Sequence, residues 1–372
     1  MELIIKVRNS IIEFLYLNIL KPIFFLIDPQ IMHHKANFVG SIIGSNFIFR
    51  FINKLFFSYS NSKLIQKING IKYNNPVGIP GGFDKNGIMI KGFESTGFGF
   101  CEIGSITALS YRGNKGRHLW RLVKLKSLVV NYGLKNEGAK KIYRRIKKKK
   151  INIPLGINVA RSNRKEVSGL EDSIKDYIKT VKVFSKKAKY FCINISCPNA
   201  ETGYMFLIKK NLKLLLNEID KLKLKQPIYL KLSADLTKKE IDSIIEVSKK
   251  HNVHGFICTN LTKNRTNLNI KKHNIPKVGS LSGVLVKEKS DEVIKYIYKK
   301  TKGKYTIIGT GGIFSAKDAY QKIKYGASLV QVFTGMIYNG PQLISQINQG
   351  IVEYLEEDGY THVNQAIGSY HN

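Results

Sequence analysis

The sequence predicts an α/β fold, an eight-stranded (β/α)8 (TIM) barrel preceded by a short helical module. Three observations carry this. Eight short runs rich in β-branched residues recur between positions 76 and 333, separated by Lys-rich stretches with apolar residues at helical spacing. The runs are nearly continuous in apolar residues, as strands covered on both faces are. Polar side chains gather just after the runs, where barrels of this kind keep their chemistry.

The runs are PVGIP (76–80), GFCEIGS (99–105), PLGINV (154–159), YFCINIS (190–196), PIYLKL (227–232), VHGFICT (253–259), YTIIG (305–309) and ASLVQVF (327–333). Between them, stretches such as 172–187 and 238–250 have amphipathic helical spacing. Eight such units suit the roughly 250 residues that a (β/α)8 barrel takes. A doubly wound open sheet would need a Gly-rich phosphate turn after its first strand, and GIPGGFDKNG (78–87) is not GxGxxG. The expected division is a helical module over 1–60, the barrel over 61–347 and a C-terminal tail over 348–372.

Residues 1–60 are rich in Ile, Leu and Phe. The best apolar run, 11–27, contains Glu13, Asn18, Lys21 and Pro22. A spanning helix needs ~20 predominantly apolar residues, and Pro22 is expected to break or kink this one. Two short amphipathic helices lying on a membrane surface fit better, with Lys6, Arg8, Lys21 and Lys35 near anionic headgroups. The other reading is that they cap the barrel and bury their apolar faces on it.

Hydrophobic residues make up 43% of the chain, enough for a sizeable core. The formal charge, 61 − 26 = +35, is spread along the sequence with one dense run at 147–150. The aromatics do not interleave with the basic residues as stacking platforms would, so a nucleic-acid partner is not expected. Cys101, Cys192 and Cys258 fall within the strand runs, Cys197 falls just past one, and none forms a CxxC pair. Reduced thiols in a cytosolic compartment are expected. No signal-peptide cleavage site is apparent. The eight His are scattered without HxH or HExxH, so no metal site is expected.

The strand ends carry Lys85, Ser105, Asn158, Asn194 to Asn199, Lys231, Thr259 with Asn260, Gly311 with Gly312, and Thr334 with Gly335. Amides, hydroxyls and two lysines suit a planar, hydrogen-bonding heterocycle. GTGG (309–312) and FTG (333–335) follow the seventh and eighth runs, where such barrels commonly hold a phosphate on backbone N–H groups. Together they suggest a phosphorylated cofactor such as FMN.

These segments resemble the dihydroorotate dehydrogenase family over essentially the whole chain. The matching stretches are IDPQIMHH (27–34), NNPVGIPGGFDKNG (74–87), GFGFCEIGSIT (97–107), LGINVARSN (155–163), NISCPNAETG (194–203), YLKLSADL (229–236), GFICTN (255–260), SLSG (280–283), IIGTGGIFS (307–315) and ASLVQVFTG (327–335). The resemblance implies oxidation of dihydroorotate to orotate in de novo pyrimidine biosynthesis, with FMN on the barrel mouth. By the family pattern FMN contacts fall on Gly81, Gly82, Lys85, Ser105, Asn158, Asn194, Lys231 and Thr259. Its phosphate contacts fall on Gly283, Gly312, Phe333 and Thr334. Substrate contacts fall on Lys85, Asn194, Asn199 and Asn260, with Asn136 and Asn131 in VVNYGLKNEG (129–138). The catalytic set implied is Cys197 as base for the C5 proton, Lys231 for charge arising on the flavin, and Lys85 for the substrate carboxylate. A thiol there needs an electropositive site to ionise near neutrality; the plainer alternative is that Cys197 is a small buried hydrophobe.

Two departures stand out. Val130 replaces the first substrate Asn, unless Asn131 takes its place, and Leu261 stands where a Thr is usual, with Thr262 adjacent. The family's classes differ in electron acceptor. The N-terminal segment with Asp28, Pro29 and His33, and GNKGRHLWRL (113–122) with Arg121, resemble the membrane class, with His33 and Arg121 on the quinone side. Cys197 is more typical of the soluble class. The expectation is a membrane quinone as acceptor and a peripheral position on the cytoplasmic face of the cell membrane. The alternatives are a soluble acceptor (fumarate, or NAD through a partner) and a non-catalytic basic binding protein on a barrel scaffold.

Overall fold

A computed structural model describes residues 2–200, 203–266 and 275–371. The helical module comes first. Helix α1 (Glu2–Leu15) passes through a π-helical stretch (Tyr16–Leu20) into α2 (Lys21–Leu26), and α3 (Pro29–Ser45) and α4 (Phe47–Phe57) follow. The path is therefore longer than two short helices, and Pro22 does not end it. Proline offers no N–H to the preceding turn, and the chain meets this with the wider π turn, in which the Lys21 N–H bonds the Tyr16 carbonyl. The real break is at Ile27, after which Asp28 caps α3 by accepting from the Gln30 and Ile31 amides at 2.8 and 3.3 Å, with Pro29 in the first turn.

An antiparallel hairpin, β1 (Gln66–Ile68) and β2 (Ile71–Tyr73), then precedes the first barrel strands, β3 (Val77–Ile79) and β4 (Phe100–Ile106). Strands β5 (Leu119–Leu122) and β6 (Ser127–Val130) leave the barrel. The barrel resumes with β7 (Leu155–Val159), β8 (Tyr190–Asn194), β9 (Ile228–Leu232) and β10 (Gly255–Cys258). After β11 (Ser280–Gly283) come β12 (Thr306–Thr310) and β13 (Leu329–Gln331). Eight strands close in the order β3-β4-β7-β8-β9-β10-β12-β13, every pair parallel, and β5, β6 and β11 form a separate antiparallel sheet. Each predicted run holds one barrel strand. The three-stranded sheet was not expected.

Side-chain alternation along the strands sorts the core. Ile79, Cys101, Ile157, Phe191, Leu230 and Phe256 belong to the large cluster that packs the helices outside. Phe100, Tyr190, Cys192, Tyr229, Ile257, Ile308 and Leu329 form a second cluster with Tyr73 of the hairpin. These rings need space, and glycines supply it: a Cβ on Gly156 would lie 2.1 Å from the Tyr190 ring, and one on Gly78 2.4 Å from the Phe100 ring. The helix Leu343–Glu357 runs through position 348 with Ile347, Ile351 and Leu355 fully buried, so these residues are part of the packed core.

The helical module is clamped on one side. Arg8 donates to the Leu55 carbonyl at 2.7 Å and to Ser345 Oγ at 2.8 Å, tying α1 to α4 and to the helix 343–357. Gly40 and Gly44 let α3 approach the helix Ile90–Ser95, where a Cβ would meet Met89 or the Gly92 amide. The other side stays open. Leu3, Ile4, Phe14, Leu26, Phe38, Phe47 and Phe51 are each more than half exposed. Both readings of the segment, cap and apolar surface, thus have a physical counterpart. Among the described residues no single helix is long and apolar enough to cross a membrane; the path 2–26 and α3 meet at a bend of 119°.

Candidate functional site

One cavity of 370 Å³ opens at the C-terminal ends of the barrel strands. It reaches from the strand ends and the loops after β12 and β13 to the inner face of the helical module, where Phe24, Phe25, Met32 and Ala36 line it. Lys85, Ser105, Asn194, Cys197, Asn199, Lys231, Thr259 and Asn260 line its barrel end, with Gly81, Gly82, Gly283, Gly312, Phe333 and Thr334. His33 and Arg121 line it toward the helices. Asn158 sits just beneath, fully buried, and accepts a short hydrogen bond from Ser105 Oγ.

Asn131 and Asn136 lie outside this lining. Asn131 faces Asn114, whose Nδ2 donates to Asn131 Oδ1 at 3.0 Å. Asn136 is buried and holds its own loop, donating to Thr107 Oγ1 at 2.7 Å and the Leu134 carbonyl at 2.8 Å. Their neighbours Val130, Tyr132, Gly133, Leu134 and Lys135 do line the cavity, as does Leu261. Strand alternation at the end of β6 turns Val130 inward and Asn131 away.

The amides are locked to one another. Asn194 Nδ2 donates to Ser105 Oγ at 2.9 Å, and Asn260 Nδ2 donates to Asn194 Oδ1 at 3.2 Å and the Ser196 carbonyl at 3.0 Å. Asn199 donates to the Val130 carbonyl at 2.8 Å and accepts from Ser280 Oγ at 2.9 Å, joining the loop after β8 to the antiparallel sheet. Such a network fixes side chains before any ligand arrives.

Two groups are electrostatically unusual. Burial, with Lys135 nearby, lowers the Lys85 ammonium to about 7. Asp84 gives it little relief, because that carboxylate is occupied by the amides of Asn86, Ile88 and Met89 at 3.2, 3.0 and 2.7 Å. Lys85 Nζ instead lies 3.3 Å from His33 Nε2 and 3.9 Å from the centre of the Tyr132 ring. Burial and Lys85 in turn hold His33 well below the usual histidine range. Cys197 is half-buried and its thiol is pushed up to about 11 by burial, against the Asn199 and Ala200 amides and the charges of Lys263 and Lys231.

A carboxylate missed at the sequence level sits under the cavity. Glu102, fully buried on β4, accepts from Asn158 Nδ2 at 2.7 Å and the Gly81 amide at 3.1 Å, and lies 3.8 Å from Lys231 Nζ. The signal was present: it is the one charged residue inside the run GFCEIGS.

The lining fits a planar ring carrying a phosphate. Thr259 Oγ1 is buried without a hydrogen-bond partner, a hydroxyl waiting for a polar ligand atom. Gly283 and Gly312, both in the cavity lining, have φ of +81° and +71°, and a Cβ on either would collide with Lys126 O or Lys287 Cβ, so these turns require glycine. Among the described residues no group of three or more His, Cys, Asp or Glu could hold a metal ion.

The profile of the dihydroorotate dehydrogenase family matches residues 63–355. A Trichodesmium erythraeum protein named dihydroorotate dehydrogenase (quinone) is 34% identical over 378 aligned residues, covering 95% of this chain and 98% of that protein. A protein of the same name from Sulfurimonas denitrificans is 37% identical over 311 residues, covering 83% of this chain and 86% of its own length. The crystal structure of DHODH from Eimeria tenella in complex with ferulenol superposes with a TM-score of 0.82 and 26% identity, over 93% of this chain and 96% of that one.

The buried ammonium gives a pH signature. Lys85 binds its proton less tightly folded than unfolded, so between about pH 7 and 10.5 the unfolded chain holds more protons and stability rises with pH. Lys85→Met removes that cost. Its thermal melting should exceed the parent's by a margin largest below pH 7 and shrinking toward pH 10. A margin that grows with pH would contradict the assignment.

Proposed function

The chain belongs to the dihydroorotate dehydrogenase family, and from that premise we propose that it oxidises (S)-dihydroorotate to orotate and passes the electrons to a membrane quinone, a step of de novo pyrimidine biosynthesis. The observation that carries this reading is the single cavity joining the barrel mouth to the apolar inner face of the helical module. A flavin at the mouth can then meet a small polar donor on one side and an apolar acceptor on the other.

We assign that flavin as FMN, held by Gly81, Gly82, Ser105, Thr259 and Lys231 around its ring and by Gly283, Gly312, Phe333 and Thr334 at its phosphate. When bound, FMN supplies the hydride acceptor and carries the electrons onward. The protein's part is binding, orientation and proton handling. Lys85 meets the substrate carboxylate as a compact charge, and that carboxylate supports the ammonium against its burial. Asn194 and Asn260, pre-set by their mutual hydrogen bond, hold the ring. Cys197 Sγ takes the C5 proton. The amides of Asn199 and Ala200 and the charges of Lys231 and Lys263 favour its thiolate, while burial opposes it. Lys231 Nζ lies at the cavity floor, placed to stabilise the negative charge that arises on reduction.

His33 and Arg121 define the acceptor end. Arg121 donates to the Phe25 and Ile27 carbonyls at 3.1 and 2.8 Å and lies 4.6 Å from the Phe25 ring centre, which ties the end of α2 to β5. The exposed apolar side of α1–α4, with Lys6, Lys21 and Lys35, suits peripheral attachment to the cytoplasmic face of the cell membrane.

Cys197→Ala should keep its flavin and slow reduction by dihydroorotate by ~10²-fold or more, the usual range for a positioned base. Because the thiol stands at about 11, the parent's rate should still be climbing above pH 9. Cys197→Ser should retain partial activity with its optimum at higher pH. Stopped-flow reduction checks this, and an unchanged rate in the Ala variant removes Cys197 from the mechanism.

The membrane reading has its own test. Leu26 and Phe38 are 88% and 66% exposed. Leu26→Asp with Phe38→Asp should abolish sedimentation with anionic liposomes and slow turnover with a long-chain quinone, leaving flavin content and reduction by dihydroorotate unchanged. Full liposome binding by the double variant would leave these helices as a cap alone.

A further inference from the structure

Glu102 is a densely connected buried polar group of the barrel. Its side chain has no exposure, and the Lys231 side chain has 6%. Besides the Asn158 and Gly81 bonds to Oε1, Tyr190 OH and Gln331 Nε2 each approach Oε2 at 3.3 Å. Gln331 Oε1, like Thr259 Oγ1, is buried without a partner. Four neutral donors and one ammonium therefore surround a single carboxylate on the floor of the cavity.

The distance to Lys231 matters. At 3.8 Å from Glu102 Oε1 the ammonium is within ion-pair range but beyond a hydrogen bond. Its three N–H groups are not consumed by the carboxylate and can donate into the cavity. Glu102 thus fixes where the positive charge sits and offsets part of it. It also donor-matches Asn158, leaving the Asn158 Oδ1 to receive Ser105, so one side chain orients three groups of the ring-binding set.

We propose that Glu102 is a positioning residue for the redox step: it holds the Lys231 ammonium at the floor of the flavin site and, by partly cancelling that charge, keeps the flavin's reduction potential lower than an uncompensated lysine would. The inference rests on the flavin reading above. A cofactor that must give electrons up to a quinone as well as receive them gains from such a counterweight, since an unopposed cation would favour the reduced form.

The test is the reduction potential of the flavin-loaded protein, measured by anaerobic equilibration with redox dyes. Glu102→Gln keeps the shape and removes the charge. It should favour the reduced flavin tenfold or more, which is a rise of about 30 mV for a two-electron couple. Lys231→Met alone should lower the potential, and adding Glu102→Gln to it should raise it again, because each charge acts on the flavin with opposite sign. An unchanged potential in folded, flavin-loaded Glu102→Gln overturns the proposal, and so does a Lys231→Met potential at or above the parent's. Should the Gln variant not fold, Glu102→Asp withdraws the carboxylate by one methylene. It should raise the potential by less, and a loaded Asp variant at the parent potential overturns the proposal equally. If the parent itself binds no flavin, the functional reading fails first; if the parent binds flavin and only the shift is missing, Glu102 alone loses its role.

Discussion

An ammonium buried at the open end of a parallel barrel requires a matching charge close by. Lys231 on β9 finds that charge in Glu102 on β4, two strands that are not neighbours in the sheet and meet only because the barrel closes. The rest of the site is arranged around this pair. Strand periodicity stacks each polar residue two positions above an interior one: Glu102 above Phe100, Asn158 above Gly156, Lys231 above Tyr229, Gln331 above Leu329. The layer below is largely aromatic, the middle layer is a hydrogen-bonded polar network around Glu102, and the mouth is lined with hydroxyls, amides and glycine backbone.

The same cavity explains how two reactants of opposite character share one site. Its floor is polar and charged, while Phe24, Phe25, Met32 and Ala36 make its far end apolar. The contact between Lys85 and His33 is where the halves meet. Helix α3 can reach that point because Asp28 restarts the chain after Ile27 and because Gly40 and Gly44 let it lie close on the barrel. Cys197 therefore stands in a frame whose relatives carry the quinone name, and the helical module, not the identity of one thiol, is the better guide to the acceptor.

Much of this was legible in the residues. The eight runs were readable because buried parallel strands are apolar throughout, and the strand-end polar residues were readable because barrel chemistry has a fixed address. What escaped detection was non-local. The antiparallel pairing of β5, β6 and β11 joins segments some 150 residues apart, and short strands outside a repeat carry little periodic signal. Pro22 was read through its local rule, and a π turn satisfied that rule without ending the helix. Glu102 was overlooked because it sits inside a strand run, and its partners come from four other strands and a loop.

The central claim is that one flavin in one cavity takes electrons from dihydroorotate and gives them to a quinone. Anaerobic spectroscopy of the purified protein tests it most directly. The account predicts a flavin spectrum that bleaches on addition of dihydroorotate and returns on addition of a quinone analogue but not of fumarate. A protein that binds flavin yet stays oxidised with dihydroorotate, or that fumarate reoxidises as fast as quinone does, would contradict it.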